Sequence, residues 1–229
     1  MTAGLSGILN LDKPPGLSSA AAVERVKRLL PAGTKIGHAG TLDPFATGVL
    51  VLLIGKSTRL AERFMSQPKQ YEATVKLGAT TPTLDPTAPQ TPTAGAAPLP
   101  RSAIEAAIQP LIGTIQQLPP AFSALKIAGR PAYKMARRGQ PVDLAPRTVV
   151  VYGIDILSYD WPFLRLRIDC GRGTYVRAIA RDLGELLGVG GYLTELRRTR
   201  VGEFRIEDSA TLAQLAEQGA LSHLRSAPP

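Results

Sequence analysis

Two strand-like segments, residues 148–157 and 163–170, follow one another with no helix between them. In the second, Leu164, Leu166 and Ile168 alternate with Arg165, Arg167 and Asp169, the two-residue period of a strand with one buried face. Elsewhere strands and helices take turns. Residues 7–11 read as a short strand, and Ser18 or Ser19 can cap a helix reaching Leu30 with Val23, Val26, Leu29 and Leu30 on one face. Residues 48–55 form an apolar, buried strand, followed by a short helix through Leu60 and Phe64. Strands thus arrive consecutively as well as between helices. That pattern predicts an α+β fold with a central mixed, largely antiparallel sheet flanked by helices and loops.

The remaining elements fit the same scheme. Along 70–78, Tyr71, Ala73, Val75 and Leu77 face one way and Glu72, Thr74 and Lys76 the other. Ser102 and Glu105 match a capping box ahead of Ile104, Ile108 and Leu111. Residues 131–138 read as a small basic helix ending at Gly139, 175–187 as a further helix, and 196–204 as a late strand. Residues 81–100 hold six Pro, five Thr and four Ala with one charge, which reads as a surface loop or linker. The 22 Gly and 20 Pro of the 229-residue chain make it rich in turns, and no internal repeat is evident.

Charge narrows the choice of partner. Lys and Arg outnumber Asp and Glu by 27 to 18, a formal net charge of +9, and nineteen of the 27 are Arg. Arg presents a planar fork suited to phosphate and base edges, so an anionic partner, nucleic acid first, is expected. One Cys and two His are too few for a zinc site or a disulfide framework. The longest apolar run, 49–54, has six residues, against the ~18 that a membrane span needs. The N-terminus has neither the basic start nor the long apolar stretch of a signal peptide, so a cytoplasmic protein with no membrane partner is expected.

Two nucleotide-binding patterns come close and fail. Gly55-Lys56-Ser57-Thr58 looks like the end of a phosphate loop, but its first Gly would fall at Leu50, inside the apolar strand. Gly171-Arg172-Gly173 before a helix resembles a dinucleotide fingerprint whose third Gly is Val176, without the βαβ unit such a fingerprint needs. The same Gly-rich turn at a helix N-terminus still suits an RNA phosphate. Asp43 is the candidate for chemistry. It lies between Gly37, Gly40 and Gly48 and just before Pro44, in a stiffened loop directly ahead of the buried strand. A carboxylate held there can act as nucleophile or base without metal or cofactor. From residue type alone, Asp43-Pro44 also reads as a simple turn initiator.

Six blocks taken in order make the chain similar to a known family. They are GILNLDKPPGLSS (7–19), GHAGTLDPFATGVL (37–50), KQYEATVKLG (69–78), PPAFSALKIAGRPAYKMAR (119–137), CGRGTYVRAIARDLG (170–184) and LRRTRVGEF (196–204). The chain resembles the TruB-type tRNA pseudouridine synthases from about Gly7 to Leu215. The resemblance implies a tRNA partner, recognised at the T stem-loop, and conversion of uridine 55 to pseudouridine with no cofactor and no metal. It assigns the nucleophile to Asp43, an essential ring against the target base to Tyr71, and a partner of the catalytic carboxylate to Arg177. His38 matches the His that holds the flipped-out tRNA conformation, and Tyr175 and Leu196 match positions lining the uridine pocket. By residue type alone, Tyr71 could be a core aromatic, Arg177 a solvated helix residue and His38 a turn filler. The basic residues between Lys126 and Arg147, and Arg197, Arg198 and Arg200, fit a phosphate footprint at the level of the patch.

Departures from the family pattern are also legible. Ser18-Ser19-Ala20-Ala21 stands where Thr-Ser-His-Asp is usual, and Pro82 replaces the first Asp of a T-D-T-x-D block whose second is Asp85. The chain is expected to comprise a catalytic domain over 1–215 and a short tail over 216–229, without the RNA-binding PUA domain of longer relatives. Competing readings are a non-catalytic tRNA-binding or folding chaperone on the same scaffold, and a guide-RNA-dependent subunit. Retention of Asp43, Tyr71 and Arg177 together argues against the first, and the absence of room for a PUA domain against the second.

Overall fold

The computed structural model describes residues 5–123, 125–127 and 129–226; Ala124 and Ala128 of the fourth block and the last three residues of the expected tail lie outside them. The chain forms two compact units, one of Met1–Glu72 with Leu196–Pro229, the other of Ala73–Glu195. The strands Lys69–Leu77 and Gly191–Val201 each have residues in both.

In the first unit the strand Thr47–Ile54 is central. Gly7–Lys13 pairs with it antiparallel from Gly7↔Ile54 to Lys13↔Gly48. Ile36–His38 pairs antiparallel with its far end, and Arg197 and Arg198 run parallel to Thr47 and Gly48. Residues 49–54 are at most 1% exposed, which explains an unbroken apolar run where a half-buried strand would alternate. One face carries a cluster of Ile8, Val49, Val51, Leu53, Phe64, Val201 and Phe204, with Phe64 and Phe204 edge to face at 5.7 Å. Ser18 caps the helix Ser19–Lys27 by accepting from the Ala21 N–H. The helix stops three residues short of the expected Leu30, so Leu29 turns outward at 38% exposure while Val23, Val26 and Leu30 stay buried.

In the second unit the sheet runs from Gly191–Val201 through Lys69–Leu77, Phe163–Cys170 and Arg147–Asp160 to Gly113–Gln117. Leu164, Leu166, Ile168 and Cys170 are fully buried on Phe163–Cys170, as the alternation requires. The antiparallel register of Arg147–Asp160 on Phe163–Cys170 shifts twice, beside Gly153 and beside Ser158. The helix Val176–Leu186 buries Ala178, Ile179, Ala180 and Leu183. Most of the pairings are antiparallel, while Arg197 and Arg198 pair in parallel with Thr47 and Gly48, so the class is α+β with a mixed sheet.

Three local expectations need correction. The helix Arg101–Ile108 enters at Pro100 without a side-chain cap, and Glu105 accepts from Arg101 instead of closing a capping box with Ser102. The late strand begins at Gly191, five residues earlier than expected, directly after the Gly188–Gly190 turn. The Pro/Thr/Ala tract is exposed over much of its length, yet its start is an ordered loop around Asp85. The Asp85 carboxylate accepts from Thr83 Oγ1 at 2.6 Å and from the N–H and hydroxyl of Thr87, while Thr81 Oγ1 bonds the Asp85 main chain on both sides. Among the described residues no helix is long and apolar enough to cross a membrane.

Candidate active site

Asp43 lies in the first unit, in the loop between strands Ile36–His38 and Thr47–Ile54. Its carbonyl accepts from the Ala46 N–H at 3.1 Å, so Asp43-Pro44 does start a turn, and its side chain is half-buried. The backbone on either side is held by side chains from outside the loop. Ser19 Oγ accepts from the Leu42 N–H at 2.8 Å and donates to the Leu42 carbonyl at 2.9 Å, both groups buried. Lys13 Nζ donates to the carbonyls of Pro14 and Leu17 at 2.8 Å and of Pro44 at 3.4 Å, and the Gly16 N–H also donates to Pro44 at 2.8 Å. Arg198, 1% exposed, donates from Nε to Val49 at 2.7 Å, from Nη2 to Gly40 at 3.1 Å and from Nη1 to Thr41 at 3.4 Å.

Gly48 closes the loop, and its identity has a steric cause. Its φ is +100°, and a Cβ there would overlap the carbonyl of Arg198, the residue paired with it across the parallel register. Leu196, 7% exposed, directly precedes the pairing of Arg197 with Thr47 and so stands beside the loop's end. Tyr71 is 7% exposed on Lys69–Leu77, whose neighbouring Gln70 carbonyl accepts from Thr199 Oγ1 at 3.3 Å.

The charges of this unit are coupled. Burial pushes the Lys13 ammonium down to about 8; Asp43 opposes that shift, Arg198 adds to it and Asp12 opposes it. Burial, then the Arg198 charge, lowers His38 below its ordinary value, so the imidazole is neutral at pH 7. Its Nδ1 is buried with no hydrogen-bond partner among the described residues. Asp43, Lys13, Arg198 and His38 therefore share one electrostatic neighbourhood.

The second unit holds Tyr175 and Arg177. Arg177 is 2% exposed, donating to the carbonyls of Thr83 at 3.0 Å and Phe122 at 2.9 Å, and lies 3.8 Å from the Asp85 carboxylate. A solvated helix residue would have none of these partners. Tyr175 is half-buried, and the buried Gln117 amide clasps its backbone, accepting from its N–H at 2.8 Å and donating to its carbonyl at 3.2 Å. That N–H of the Gly-rich turn is thereby occupied by a side chain of the protein.

Sequence reasoning missed the supporting set of Lys13, Ser19, Arg198, Gln117 and the buried Asp85. Arg197, Arg198 and Arg200 fit a phosphate footprint only as a patch, and two of the three bond the protein itself. Arg198 is enclosed, and Arg197 forms a two-pronged pair with Asp12 at 2.8 and 3.3 Å and reaches Thr47 at 3.2 Å. The rejected phosphate loop is a 3-10 turn, Gly55–Leu60, whose Ser57 and Thr58 hydroxyls bond Ser6 and the Gly55 carbonyl. A cavity of about 680 Å³ lined in part by Lys35, Lys56 and Arg59 includes none of the candidate site residues.

Residues 27–176 match the TruB family pseudouridylate synthase N-terminal domain, and 177–226 the tRNA pseudouridylate synthase B C-terminal domain. A tRNA pseudouridine synthase B of Aromatoleum aromaticum is 46% identical over 211 residues, covering 92% of this chain and 68% of that protein. One from Phocaeicola vulgatus is 42% identical over 215 residues, covering 92% of both. Among solved structures, a chain of a Cbf5-Nop10-Gar1 complex superposes with a TM-score of 0.71 at 32% identity, over 92% of this chain and 54% of that one. A chain of an H/ACA RNP bound to a substrate RNA containing 2'-deoxyuridine gives 0.69 at 28% identity, over 96% and 59%. The chain thus spans little more than half the length of those solved chains. The fold is that of a pseudouridylate synthase. The chain belongs to the TruB family.

Proposed function

We propose that the protein converts uridine 55 in the T loop of tRNA to pseudouridine, with Asp43 as the nucleophile. What supports the reading is a half-buried carboxylate on a loop whose backbone is bonded at Gly40, Thr41, Leu42 and Pro44 by buried side chains, in a chain at least 42% identical to proteins named tRNA pseudouridine synthase B. Preorganisation of that kind holds a reacting group near its attack geometry. The reaction breaks C1′–N1, turns the uracil and joins C5 to C1′. Overall one proton leaves C5 and one is gained at N1, with no change in oxidation state.

The base must leave the stack to be reached, which calls for flat faces in the pocket. Tyr71 supplies the ring against the uracil, and Tyr175 and Leu196 line its pocket. His38, neutral at pH 7, holds the extruded loop by hydrogen bonding and contact, without charge. Arg177 carries over from the family as the partner of the catalytic carboxylate. The net charge of +9 supplies the long-range attraction for tRNA. The test is pseudouridine mapping on an unmodified tRNA transcript incubated with purified protein. Pseudouridine at position 55 alone is expected. Binding without any pseudouridine would favour a non-catalytic tRNA chaperone.

A further inference from the structure

We infer that Arg198 is a positioning residue for Asp43, a brace inside the protein with no phosphate to bind; the inference rests on the reading of Asp43 as the nucleophile. Its guanidinium joins both ends of the Asp43 loop. Nη2 and Nη1 hold the carbonyls of Gly40 and Thr41, two or three residues before Asp43, and Nε holds Val49 at the start of the buried strand that follows. Three acceptors spread over one planar fork fix distance and direction together, which a point-charge ammonium cannot do.

The main chain of the same residue completes the brace. Arg198 pairs with Gly48 in parallel register, and Gly48 can approach that closely only because it has no Cβ. The side chain is 1% exposed, so no phosphate reaches it. Its charge is felt by Lys13 and His38, which places a permanent cation beside the group that also senses Asp43. A fully buried Arg spent on three backbone carbonyls is costly unless the geometry it fixes matters. The loop it fixes is the one that carries Asp43.

The experiment compares Arg198→Met, Arg198→Lys, Asp43→Asn and wild type on intact tRNA, with thermal denaturation run on each. Arg198→Met is expected to lower kcat about 100-fold with KM for tRNA within about twofold, since misplacing a reacting group by ~1 Å costs that much. Arg198→Lys keeps the charge but not the fork, and recovers kcat to within about tenfold of wild type. The slope of log Kd against log salt stays unchanged in both. Should Arg198→Met not fold, Arg198→Lys decides the matter by the same split between kcat and KM. A folded Arg198→Met with wild-type kcat, a loss of kcat that merely follows the folded fraction, or a salt slope reduced by about 0.9 would overturn the inference; the last would make Arg198 a phosphate contact. Asp43→Asn separates the two claims. If it turns over, the nucleophile reading fails; if it is inert while the Arg198 variants match wild type, only the positioning role fails.

Discussion

Ser19→Ala removes one oxygen atom and leaves two buried backbone groups without partners. Ser19 is 2% exposed and Leu42 is 3% exposed, so water does not readily replace the hydroxyl. The lost bonds measure 2.8 Å from the Leu42 N–H and 2.9 Å to its carbonyl. An orphaned buried donor or acceptor costs about 1–3 kcal/mol, so the pair sets a cost of roughly 2–4 kcal/mol after local relaxation. For a chain of this length that corresponds to a fall in Tm of about 5–12 °C. Urea unfolding followed by far-ultraviolet circular dichroism is the suitable assay, because the one tryptophan, Trp161, sits in the second unit and reports there. Ser19→Thr keeps the hydroxyl and should restore most of the loss. A destabilisation under about 0.5 kcal/mol, within the range of an ordinary surface change, would refute the claim that this bond pair anchors the Asp43 loop.

Three further outcomes are expected. Lys13 titrates at about 8 when folded and near 10.5 unfolded, so below pH 8 both states carry the charge and the folded state bears the full cost of burying it. Between pH 8 and 10.5 only the unfolded state holds the proton, so stability should rise with pH, by about 3 kcal/mol relative to Lys13→Met, which lacks the group. A difference between the two proteins that is flat or falls across that window, measured by urea unfolding, would contradict the shift. Gly48→Ala must place a side chain at φ +100° against the Arg198 carbonyl. It should cost roughly 2–5 kcal/mol and lower kcat by displacing the Asp43 loop, whereas an unchanged melting temperature would show that the strands part freely. Affinity for tRNA should fall log-linearly with salt, and a flat response would leave the +9 charge as surface only.

The fold was legible where one interaction dominates. Phe163–Cys170 has one buried face and follows period two, while Thr47–Ile54 is enclosed and reads as a continuous apolar run. Asp43 was legible only through the six-block resemblance, since by residue type Asp43-Pro44 reads equally as a turn initiator, and it does start a turn. What supports Asp43 was not legible. Arg198 occupies a strand position in a run of basic residues, where sequence alone assigns it to the surface, and its three acceptors lie about 150 residues earlier. Gln117 meets Tyr175 across 58 positions and Arg177 meets Thr83 across 94. Backbone carbonyls as partners leave no residue-type signal. The helix start at Pro100 was misread for a different reason. Ser102 and Glu105 have capping-box spacing, but a proline with φ −68° already sets the entry, and Arg101 claims the carboxylate.

The central claim is that the Asp43 carboxylate performs the chemistry while the rest of the protein binds tRNA and holds that carboxylate in place. Asp43→Asn changes one oxygen for an amide nitrogen and leaves the Ser19, Lys13 and Arg198 bonds to the loop backbone available. The decisive measurement is single-turnover pseudouridine formation by Asp43→Asn, in a preparation free of wild-type protein, beside its Kd for the same tRNA. The account predicts a Kd within about threefold of wild type, or ~0.7 kcal/mol, and no pseudouridine above background. Turnover by Asp43→Asn at a rate approaching wild type would contradict it.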